Sequence, residues 1–395
     1  MKDRLRILLV SYLPPTKGGI ATWAGILRDQ GTHGKHSFRF VEVSGKGNSG
    51  YLRWTIKALR SVLLVARVVY ELFRNEPDVV HLNCCLSALG VWRDLAVAGL
   101  VCACRVPLIV HYHGSLPDVF ERFTAPCRLG LQWLIKCATV NIGITRGSVS
   151  FLATQSGGGK TQHLPNFIED EWLDRSAANM AGKRRSPASR SKAIYAGKLS
   201  WGKGITDLLR VADALPNVDF LLIGEIMEEI RPAIERAPSN VTAIGALPRS
   251  QVIERLFLGD LFVFPSVRAV EGFPNAVLEA MAAGLPIVST RVGSVGEMIE
   301  EGRGGRLTAP ADVRALTEAI RELAADQGLA RRIGEYNREV CLKKFRFSTV
   351  FQDLSAIYDL LATQKNDGKG LVTPCMLPRE RRATARSSNT QRANW

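Results

Sequence analysis

Short apolar runs alternate with longer segments of helical periodicity along most of the chain, and the alternation occurs in both halves. Five runs of the first half are predicted to be strands: Arg6–Val10, Phe38–Val43, Val79–Leu82, Leu108–His111 and Thr139–Ile144. Five more follow in the second half: Lys192–Tyr195, Val218–Ile223, Val241–Ile244, Leu261–Phe264 and Pro286–Ser289. This pattern is typical of parallel sheets that are joined by crossover helices and covered on both faces. Because 395 residues are more than one hydrophobic core usually supports, we predict two α/β domains.

The formal net charge of +15 is distributed unevenly along the chain. Residues 1–180 carry +8, residues 181–192 carry +5, residues 193–362 carry −3 and residues 363–395 carry +5. The predicted organisation is an N-terminal domain (1–175), a basic interdomain loop (176–192), a C-terminal domain (193–345), a helix that crosses back to the N-terminal domain (346–362) and a basic disordered tail (363–395). We expect no nucleic-acid partner, because no nucleic-acid-binding module is present and the second half is net acidic.

Cysteine spacing and hydropathy bear on the cellular compartment. The eight cysteines lack the regular spacing of a disulfide framework, which predicts free thiols in a reducing environment. The apolar run Ile7–Leu13 is short for a signal peptide and ends at Pro14-Pro15, so we interpret it as a first strand. No stretch approaches the ~18 uninterrupted apolar residues of a membrane-spanning helix. We expect a cytoplasmic protein whose contact with the inner face of the cell membrane is at most peripheral.

The most specific motif follows the predicted strand Leu261–Phe264 and reads Glu271-Gly272-Phe273-Pro274-Asn275-Ala276-Val-Leu-Glu279. Because proline is suited to the first turn of a helix, we predict a helix that begins near Pro274 or Asn275. The free amides at Phe273, Asn275 and Ala276 can then bind oxygens of an anionic ligand. Glu271 precedes this helix and Glu279 lies within it, so both carboxylates can face one cleft.

Three further segments place candidate ligand-binding residues at the ends of predicted strands. They are Gly197-Lys198-Leu-Ser-Trp-Gly-Lys203-Gly204, His111-Tyr-His113-Gly114 and Pro14-Pro-Thr-Lys-Gly18-Gly19. A glycine turn beside two lysines at the carboxyl end of a strand is suited to hold a pyrophosphate. The Gly18-Gly19 loop allows close approach of backbone to a ligand, although it lacks the G-x-G-x-x-G dinucleotide fingerprint.

Taken together, these segments resemble the motifs of glycosyltransferase family 4, whose members are retaining enzymes of the GT-B fold. The resemblance extends from Leu5 to about Leu361 and leaves only the tail unexplained. It implies two Rossmann-like doubly wound domains that face each other across a cleft. It also implies a nucleotide sugar as the donor and a glycan or lipid-linked acceptor, with a function in cell-surface polysaccharide biosynthesis.

The resemblance also implies roles for individual residues. In the family, the first glutamate of the motif contacts hydroxyls of the donor sugar and the second holds the ribose, which corresponds to Glu271 and Glu279. The family's Arg and Lys neutralise the donor diphosphate and correspond to Lys198 and Lys203; lysine at position 198 keeps the charge but loses the bidentate fork. The strand-end histidine beside the sugar corresponds to His113, with His111 as the less favoured choice. The other implied donor-binding residues are Gly18, Gly19, Gly204, Leu247, Gly272, Phe273, Pro274, Asn275 and Ala276.

The expected mechanism is front-side attack, in which the leaving phosphate takes the acceptor proton. We favour it because no carboxylate is obviously placed as a nucleophile on the opposite face of the sugar. No Asp-x-Asp element is present, and Glu169-Asp-Glu171 is a poor substitute on a predicted loop. We therefore expect no metal and no other cofactor.

One basic segment of the first half, Leu52–Arg74, is predicted to be a single helix. Its positive residues share one stripe beside apolar side chains: Arg53, Lys57, Arg60, Arg67 and Arg74. Two interpretations remain open. The stripe is either a solvated face on a helix that packs against the sheet, or a surface for anionic lipid headgroups near a lipid-linked acceptor.

Three functions are compatible with these motifs. The first is a glycosyltransferase that extends a glycan, and the second is a nucleotide-sugar epimerase or phosphorylase on the same fold. The third is a non-catalytic GT-B scaffold. The glutamate motif together with Lys203 favours transfer, and a phosphorylase's cofactor-lysine motif is not apparent.

Overall fold

The computed structural model of the chain describes residues 4–16, 18–31, 35–43, 52–156, 161–182, 190–268 and 271–366. For residues 52–55, 57, 58, 178–182 and 364–366 it describes the backbone alone. Residues 183–189 of the predicted basic interdomain loop, and the predicted tail beyond residue 366, lie outside the described residues.

The first domain is built on a six-stranded parallel sheet of order β2-β1-β3-β4-β5-β6. Its strands are β1 (Leu5–Ser11), β2 (His36–Glu42), β3 (Val79–Cys84), β4 (Leu108–Tyr112), β5 (Val140–Gly143) and β6 (Thr161–His163). Its helices are α1 (Gly19–Gly31), α2 (Leu52–Asn75), α3 (Ala88–Ala103), α4 (Leu116–Arg122), α5 (Ala125–Cys137) and α6 (Arg146–Ser156). The connection α7 (Asp170–Gly182) leads to the second domain.

The second domain has a parallel sheet of order β12-β11-β10-β7-β8-β9. Its strands are β7 (Ser191–Ala196), β8 (Val218–Ile223), β9 (Val241–Ala243), β10 (Leu261–Phe264), β11 (Ile287–Thr290) and β12 (Gly305–Thr308). Its helices are α8 (Ile205–Ala214), α9 (Arg231–Glu235), α10 (Arg249–Phe257), α11 (Asn275–Ala282), α12 (Val295–Met298), α13 (Val313–Ala325) and α14 (Gln327–Val340). The last helix is α15 (Phe347–Asn366).

This architecture confirms the predicted fold class of two Rossmann-like α/β domains. All ten predicted strands are present, with ends that differ by at most two residues. The sequence prediction missed β6 and β12, which lie at sheet edges and contain three and four residues. Strands this short have too few apolar positions to produce a recognisable pattern.

Each sheet is covered on both faces, as its continuously apolar strands predict. In the first domain α2, α3 and α5 cover one face, where Leu64 and Val68 pack with β1 and β3 residues. The opposite face is covered by α1 and by α15, which returns from the second domain. Tyr358 of α15 is fully buried there, and its hydroxyl lies 2.7 Å from Nδ1 of His81. The exact domain boundaries remain predictions.

Residues 176–182 are helical, although the sequence predicts a loop from residue 176 onward. The reason is tertiary packing. Arg338 of α14 donates to the Ser176 hydroxyl at 2.7 Å and to the Leu173 carbonyl at 2.9 Å, which ties α7 to the second domain. At the other end, α15 continues to Asn366, beyond the predicted start of the tail. Among the described helices, none is both long and apolar enough to span a membrane.

Candidate active site

Three of the predicted site residues, Lys203, Glu271 and His113, lie where the carboxyl ends of the two sheets meet. In the second sheet the strand order reverses between β7 and β10, and the loops after these two strands contain Lys203 and Glu271. In the first sheet the order reverses between β1 and β3, next to β4, which leads to His113. Crevices at such reversals are the usual ligand sites of open α/β sheets.

The loop after β7 depends on close backbone packing at its glycines. Gly204 has φ +69° and separates a short 3₁₀ turn, Trp201–Lys203, from α8. A Cβ atom at Gly204 would lie 1.9 Å from the carbonyl oxygen of Pro265, so only glycine permits this approach between the β7 and β10 loops. The turn therefore holds Lys203 against the loop that contains Glu271.

Lys203 and Glu271 form an ion pair at the base of the cleft. Their side chains are 18% and 11% exposed, so the pair is largely shielded from water yet remains open to the cleft. The Ser266 hydroxyl donates to the same Glu271 oxygen at 2.7 Å, and the lysine Nζ lies 5.4 Å from the centre of the Phe264 ring. The carboxylate is thus oriented by two donors, and the lysine is held at the carboxyl end of β10.

The loop that follows Glu271 is supported from beneath by the segment before α12. Gly293, with φ +52°, would place a Cβ atom 1.8 Å from the Glu271 carbonyl oxygen. The Ser294 hydroxyl donates to the Gly272 carbonyl at 2.6 Å. Helix α11 begins at Asn275 with Pro274 as its N-cap, as the sequence predicts. By helix geometry the amides of Asn275 and Ala276 have no intrahelical acceptor, whereas the Val277 amide donates to the Pro274 carbonyl at 3.0 Å.

Both domains contribute to the wall around this loop. A Cβ atom at Gly272 would lie 3.0 Å from the Gly114 Cα atom and 3.1 Å from the His113 carbonyl oxygen. A Cβ atom at Gly19 would lie 3.6 Å from Nδ2 of Asn275. The predicted Gly18-Gly19 and His113-Gly114 segments therefore meet the glutamate motif across the cleft.

Asn166 joins the same interface from the link between the domains. Its buried amide donates to the Asn275 side chain at 2.8 Å and to the Phe273 carbonyl at 3.3 Å. These bonds fix the start of α11 against the first domain.

His113 lies beside a group of buried histidines at the carboxyl ends of β3 and β4. Its Nε2 is 3.0 Å from the side-chain oxygen Oδ1 of Asn83, and its ring centre is 4.1 Å from that of His111. Burial lowers the pKa of His113 to about 3, and it lowers the pKa of His81 to about 3 as well. Neutral His113 can donate from Nε2 to Asn83, which leaves Nδ1 as an acceptor. His111, the less favoured candidate, is completely buried.

Glu279 does not point freely into the cleft but pairs with Arg249 of α10. The Arg249 Nε atom lies 2.9 Å from a Glu279 oxygen, and its Nη2 atom lies 2.8 Å from Glu169. Arg249 also lies over the Trp172 ring at 5.2 Å from its centre. Burial raises the pKa of Glu279, although Arg249 acts in the opposite direction. The arrangement holds two carboxylates around one guanidinium.

Some predicted residues are not brought into the Lys203–Glu271 cluster. Lys198 lies 3.5 Å from Glu225, and both side chains are about half exposed. Leu247 is half buried against the second-domain core. Arg60 is half buried on α2 while Arg67 and Arg74 are exposed there, and the side chains of Arg53 and Lys57 lie outside the described residues. The part of the chain that the structure describes contains no group of three or more His, Cys, Asp or Glu side chains suited to a metal ion.

Arg249, Glu169, Ser266 and Glu297 also belong to the site, although their sequence context did not predict it. Arg249 directly follows Leu247-Pro248, and Leu247 is among the predicted donor-binding residues. This adjacency was the one sequence signal that Arg249 could belong to the site. Glu297 of α12 accepts hydrogen bonds from the amides of Arg146 at 2.7 Å and Gly147 at 3.3 Å, at the start of α6 in the first domain. No local pattern connects residues so distant in sequence.

Comparison with known proteins agrees with this geometry. Residues 178–340 match the family model described as glycosyl transferases group 1, which covers the second domain and its two loops. The sulfoquinovosyl transferase SQD2 of Arabidopsis thaliana is 26% identical over 71% of this chain and 56% of its own length. The putative teichuronic acid biosynthesis glycosyltransferase TuaC of Bacillus subtilis is 26% identical over 70% of this chain and 69% of its own. The chain thus spans little more than half of the Arabidopsis relative.

A solved structure extends the likeness to both domains. The Anabaena protein Alr3699/HepE in complex with UDP-glucose superposes with a TM-score of 0.67 over 90% of this chain and 100% of its own, at 18% identity. At that identity the likeness concerns the fold, which is the two-domain GT-B arrangement.

Proposed function

Because residues 178–340 match the glycosyl transferases group 1 family model, we propose that the chain is a member of that family and a retaining glycosyltransferase that moves a sugar from a nucleotide-sugar donor to an acceptor hydroxyl. The observation on which this rests is the Lys203–Glu271 pair, which lies in the interdomain cleft beside His113-Gly114 and the first turn of α11. A cation, a carboxylate and free backbone amides converge there from separate elements. Such a site suits a ligand with both phosphate and sugar hydroxyls.

The donor is proposed to lie along the second domain. Lys203 and the α11 amides bind the diphosphate, and Glu271 binds hydroxyls of the sugar. Glu279, oriented by Arg249, binds the ribose, and the backbone near Leu247 faces the base. The half-exposed Lys198 reaches the diphosphate only after leaving Glu225, so its contribution is smaller than that of Lys203. A uridine nucleotide is the first donor to test, because the related Anabaena structure contains UDP-glucose.

Catalysis is proposed to be mainly electrostatic. The bond between the sugar C1 atom and the phosphate oxygen breaks, and its electron pair goes to the phosphate. The acceptor oxygen bonds to C1 on the same face, and its proton passes to the departing phosphate oxygen. Lys203, Lys198 and the α11 amides stabilise the growing negative charge. Because these groups supply the positive charge, we propose that the reaction needs no metal, which excess EDTA should confirm by leaving the rate unchanged.

The acceptor is proposed to be a glycan or lipid-linked hydroxyl presented by the first domain. The charge distribution supports this, since residues 1–180 carry +8 while residues 193–362 carry −3. Similarity to TuaC, named for teichuronic acid biosynthesis, supports a function in cell-surface polysaccharide synthesis. We propose that the protein works in the cytoplasm at the inner face of the membrane.

The decisive experiment measures release of the nucleoside diphosphate from UDP-, GDP- and ADP-sugars, first without acceptor and then with lipid extracts. The variants Lys203→Met and Glu271→Gln should lower the rate on the preferred donor by about 10²- to 10³-fold, because each removes a preorganised polar group from the transition state. Lys343→Met is the matched control, since Lys343 is 72% exposed and forms an ion pair with Glu339, which is 64% exposed. Its rate should equal that of the wild type.

Three results would contradict the proposal or its mechanism. Unchanged rates in both active-site variants would favour a non-catalytic scaffold, and formation of an isomeric nucleotide sugar without transfer would favour an epimerase. A covalent glycosyl adduct on a side chain would contradict front-side attack.

A further inference from the structure

Three neighbouring helices of the first domain turn an apolar surface outward. Helices α2, α3 and α5 lie side by side on one face of the first sheet, and their inward residues share a single core cluster. Several large apolar side chains on their outward sides are exposed, and together they define the three-helix face: Leu59, Val62, Leu63, Tyr70, Phe73, Trp92, Leu129 and Trp133. Contiguous exposed apolar surface of this kind is typical of an interaction site.

Helix α2 has apolar residues on its outward side as well as on the side that packs against the sheet. Leu64, Val68 and Leu72 are buried against the sheet. The exposed residues form a second apolar line at alternating spacings of three and four: Leu59, Leu63, Ala66, Tyr70 and Phe73. Phe73 is 74% exposed and Val62 is 65% exposed. A helix that only covers a sheet normally places polar residues on this side.

The two neighbouring helices continue the same surface. The outward positions of α3 between residues 88 and 103 are uncharged: Ala88, Trp92, Ala96, Gly99, Cys102 and Ala103. Trp92 is 47% exposed, and its ring lies against α5 at Gly130, where a Cβ atom would be 3.5 Å from the ring. Trp133 of α5 is 64% exposed. Small residues on α3 thus form a shallow floor between the larger side chains of α2 and α5.

Charge around this face decides which partner it fits. Helices α2, α3 and α5 contain eight Lys and Arg residues and two acidic residues. Of the two acids, Asp94 is buried with Arg93, and Glu71 accepts a hydrogen bond from Asn75. Arg67 and Arg74 are exposed on one side of the α2 line, whereas the opposite side has Val62 and Val69. If a second copy of this chain packed on the three-helix face, Arg67 and Arg74 would meet arginine or valine and would form no ion pair. An anionic surface, in contrast, complements these two arginines.

We infer that the three-helix face docks on an anionic lipid bilayer. Tyr70, Phe73, Trp92 and Trp133 lie in the interfacial layer, where aromatic side chains concentrate, and Arg67 and Arg74 contact headgroup phosphates. The inference deepens the proposed function, on which its biological meaning rests, because it identifies the side of the molecule that would meet a lipid-linked acceptor. Arg67 and Arg74, two residues of the predicted basic stripe on α2, thereby form the rim of a larger apolar surface.

The test is flotation of the full chain with vesicles of phosphatidylcholine alone or with 30% phosphatidylglycerol, where that fraction is roughly the anionic content that gives a strong surface potential. Wild-type protein should bind only the anionic vesicles, and less at high salt. Arg67→Gln/Arg74→Gln should weaken binding by about 25-fold, since each arginine contributes roughly fivefold. Phe73→Gln/Trp133→Gln should weaken it by at least about tenfold.

Matched controls come from exposed residues of the second domain. Arg236→Gln/Arg314→Gln removes the same charge, and Leu258→Gln removes an apolar side chain that is 57% exposed. Both should bind within about twofold of the wild type if the face, and not total charge, determines binding. Equal loss in these controls would overturn the inference.

Further outcomes separate this inference from the proposed function. Lipid-free donor hydrolysis should be unchanged in Phe73→Gln/Trp133→Gln, which also verifies folding. Failure of the wild type to bind anionic vesicles while hydrolysis persists would overturn the docking inference alone. Vesicle binding without any hydrolysis would overturn the proposed function alone. A dimer that dissociates in Phe73→Gln/Trp133→Gln, measured by sedimentation velocity without lipid, would assign the face to a protein partner and overturn the lipid assignment.

Discussion

At the scale of single residues, the site is organised by side chains that hold one another in place. Lys203 and Ser266 orient Glu271, and Arg249 links Glu279 to Glu169. Both glutamates of the motif therefore have fixed partners before any ligand binds. A carboxylate whose position is already determined loses less conformational entropy when it binds a sugar hydroxyl.

Replacing Arg249 by Met should destabilise the protein by about 3–5 kcal/mol, because it leaves the Glu279 carboxylate buried without its cation. Burial already raises the pKa of Glu279, and without Arg249 the native state should hold this proton more strongly than the unfolded state. Stability then falls as pH rises, so the loss should be larger at pH 8 than at pH 5. Denaturant unfolding at the two pH values measures this.

The control for this prediction is the double variant Arg249→Met/Glu279→Gln. It removes the buried charge and should recover most of the lost stability at pH 8. Equal losses at both pH values, with no recovery in the double variant, would show that Arg249 contributes packing and not charge.

At the scale of elements, the loops after β7 and β10 behave as one unit. Gly204 approaches the Pro265 carbonyl and Gly293 approaches the Glu271 carbonyl, so each loop fixes the path of the next. The Lys203–Glu271 pair follows from this backbone packing. Loops supported in this way place functional groups on a rigid sheet edge.

Gly204→Ala should therefore cost well over 2 kcal/mol, because it adds a backbone clash to the strain of a positive φ. Gly245→Ala is the matched control: Gly245 has φ +72°, but its Cβ would meet nothing within 4 Å, so only the strain of about 1–2 kcal/mol is expected. Thermal unfolding of both variants gives the comparison. A similar loss in both would show that the close approach to Pro265 has little energetic importance.

At the scale of the whole molecule, two polar contacts near the cleft join the domains through helix N-termini. Asn166 contacts the start of α11, and Glu297 of α12 accepts from the first amides of α6. A carboxylate at a helix N-terminus is favourable both as a cap and through the helix dipole. Because α12 follows the segment that supports Gly272, domain contact and loop position are connected.

Glu297→Gln should shift the molecule toward separated domains, because the contact with α6 loses its charge. A contribution of about 0.5–2 kcal/mol corresponds to a change of roughly 2- to 30-fold in that equilibrium. Small-angle scattering should show a larger radius of gyration without ligand, and the KM for the donor should rise. Glu318→Gln, an exposed residue paired with Arg321 on its own helix, should change neither. An unchanged radius would contradict the role of Glu297.

The two α/β domains, ten of the strands, the start of α11 and the candidate residues of the motifs could all be predicted from the sequence, because periodicity, glycine turns and helix N-terminal signals are local. The short strands β6 and β12, the contacts of Arg249, and the pairing of Lys203 with Glu271 required the structure, since they join residues far apart in the chain. The same distinction applies to α2. Its sequence establishes a basic helix rich in apolar residues, but only the packing of Leu64 and Val68 on the sheet determines that Tyr70 and Phe73 face outward. The sequence specifies which side chains a helix has, whereas tertiary packing decides which of them are exposed to solvent.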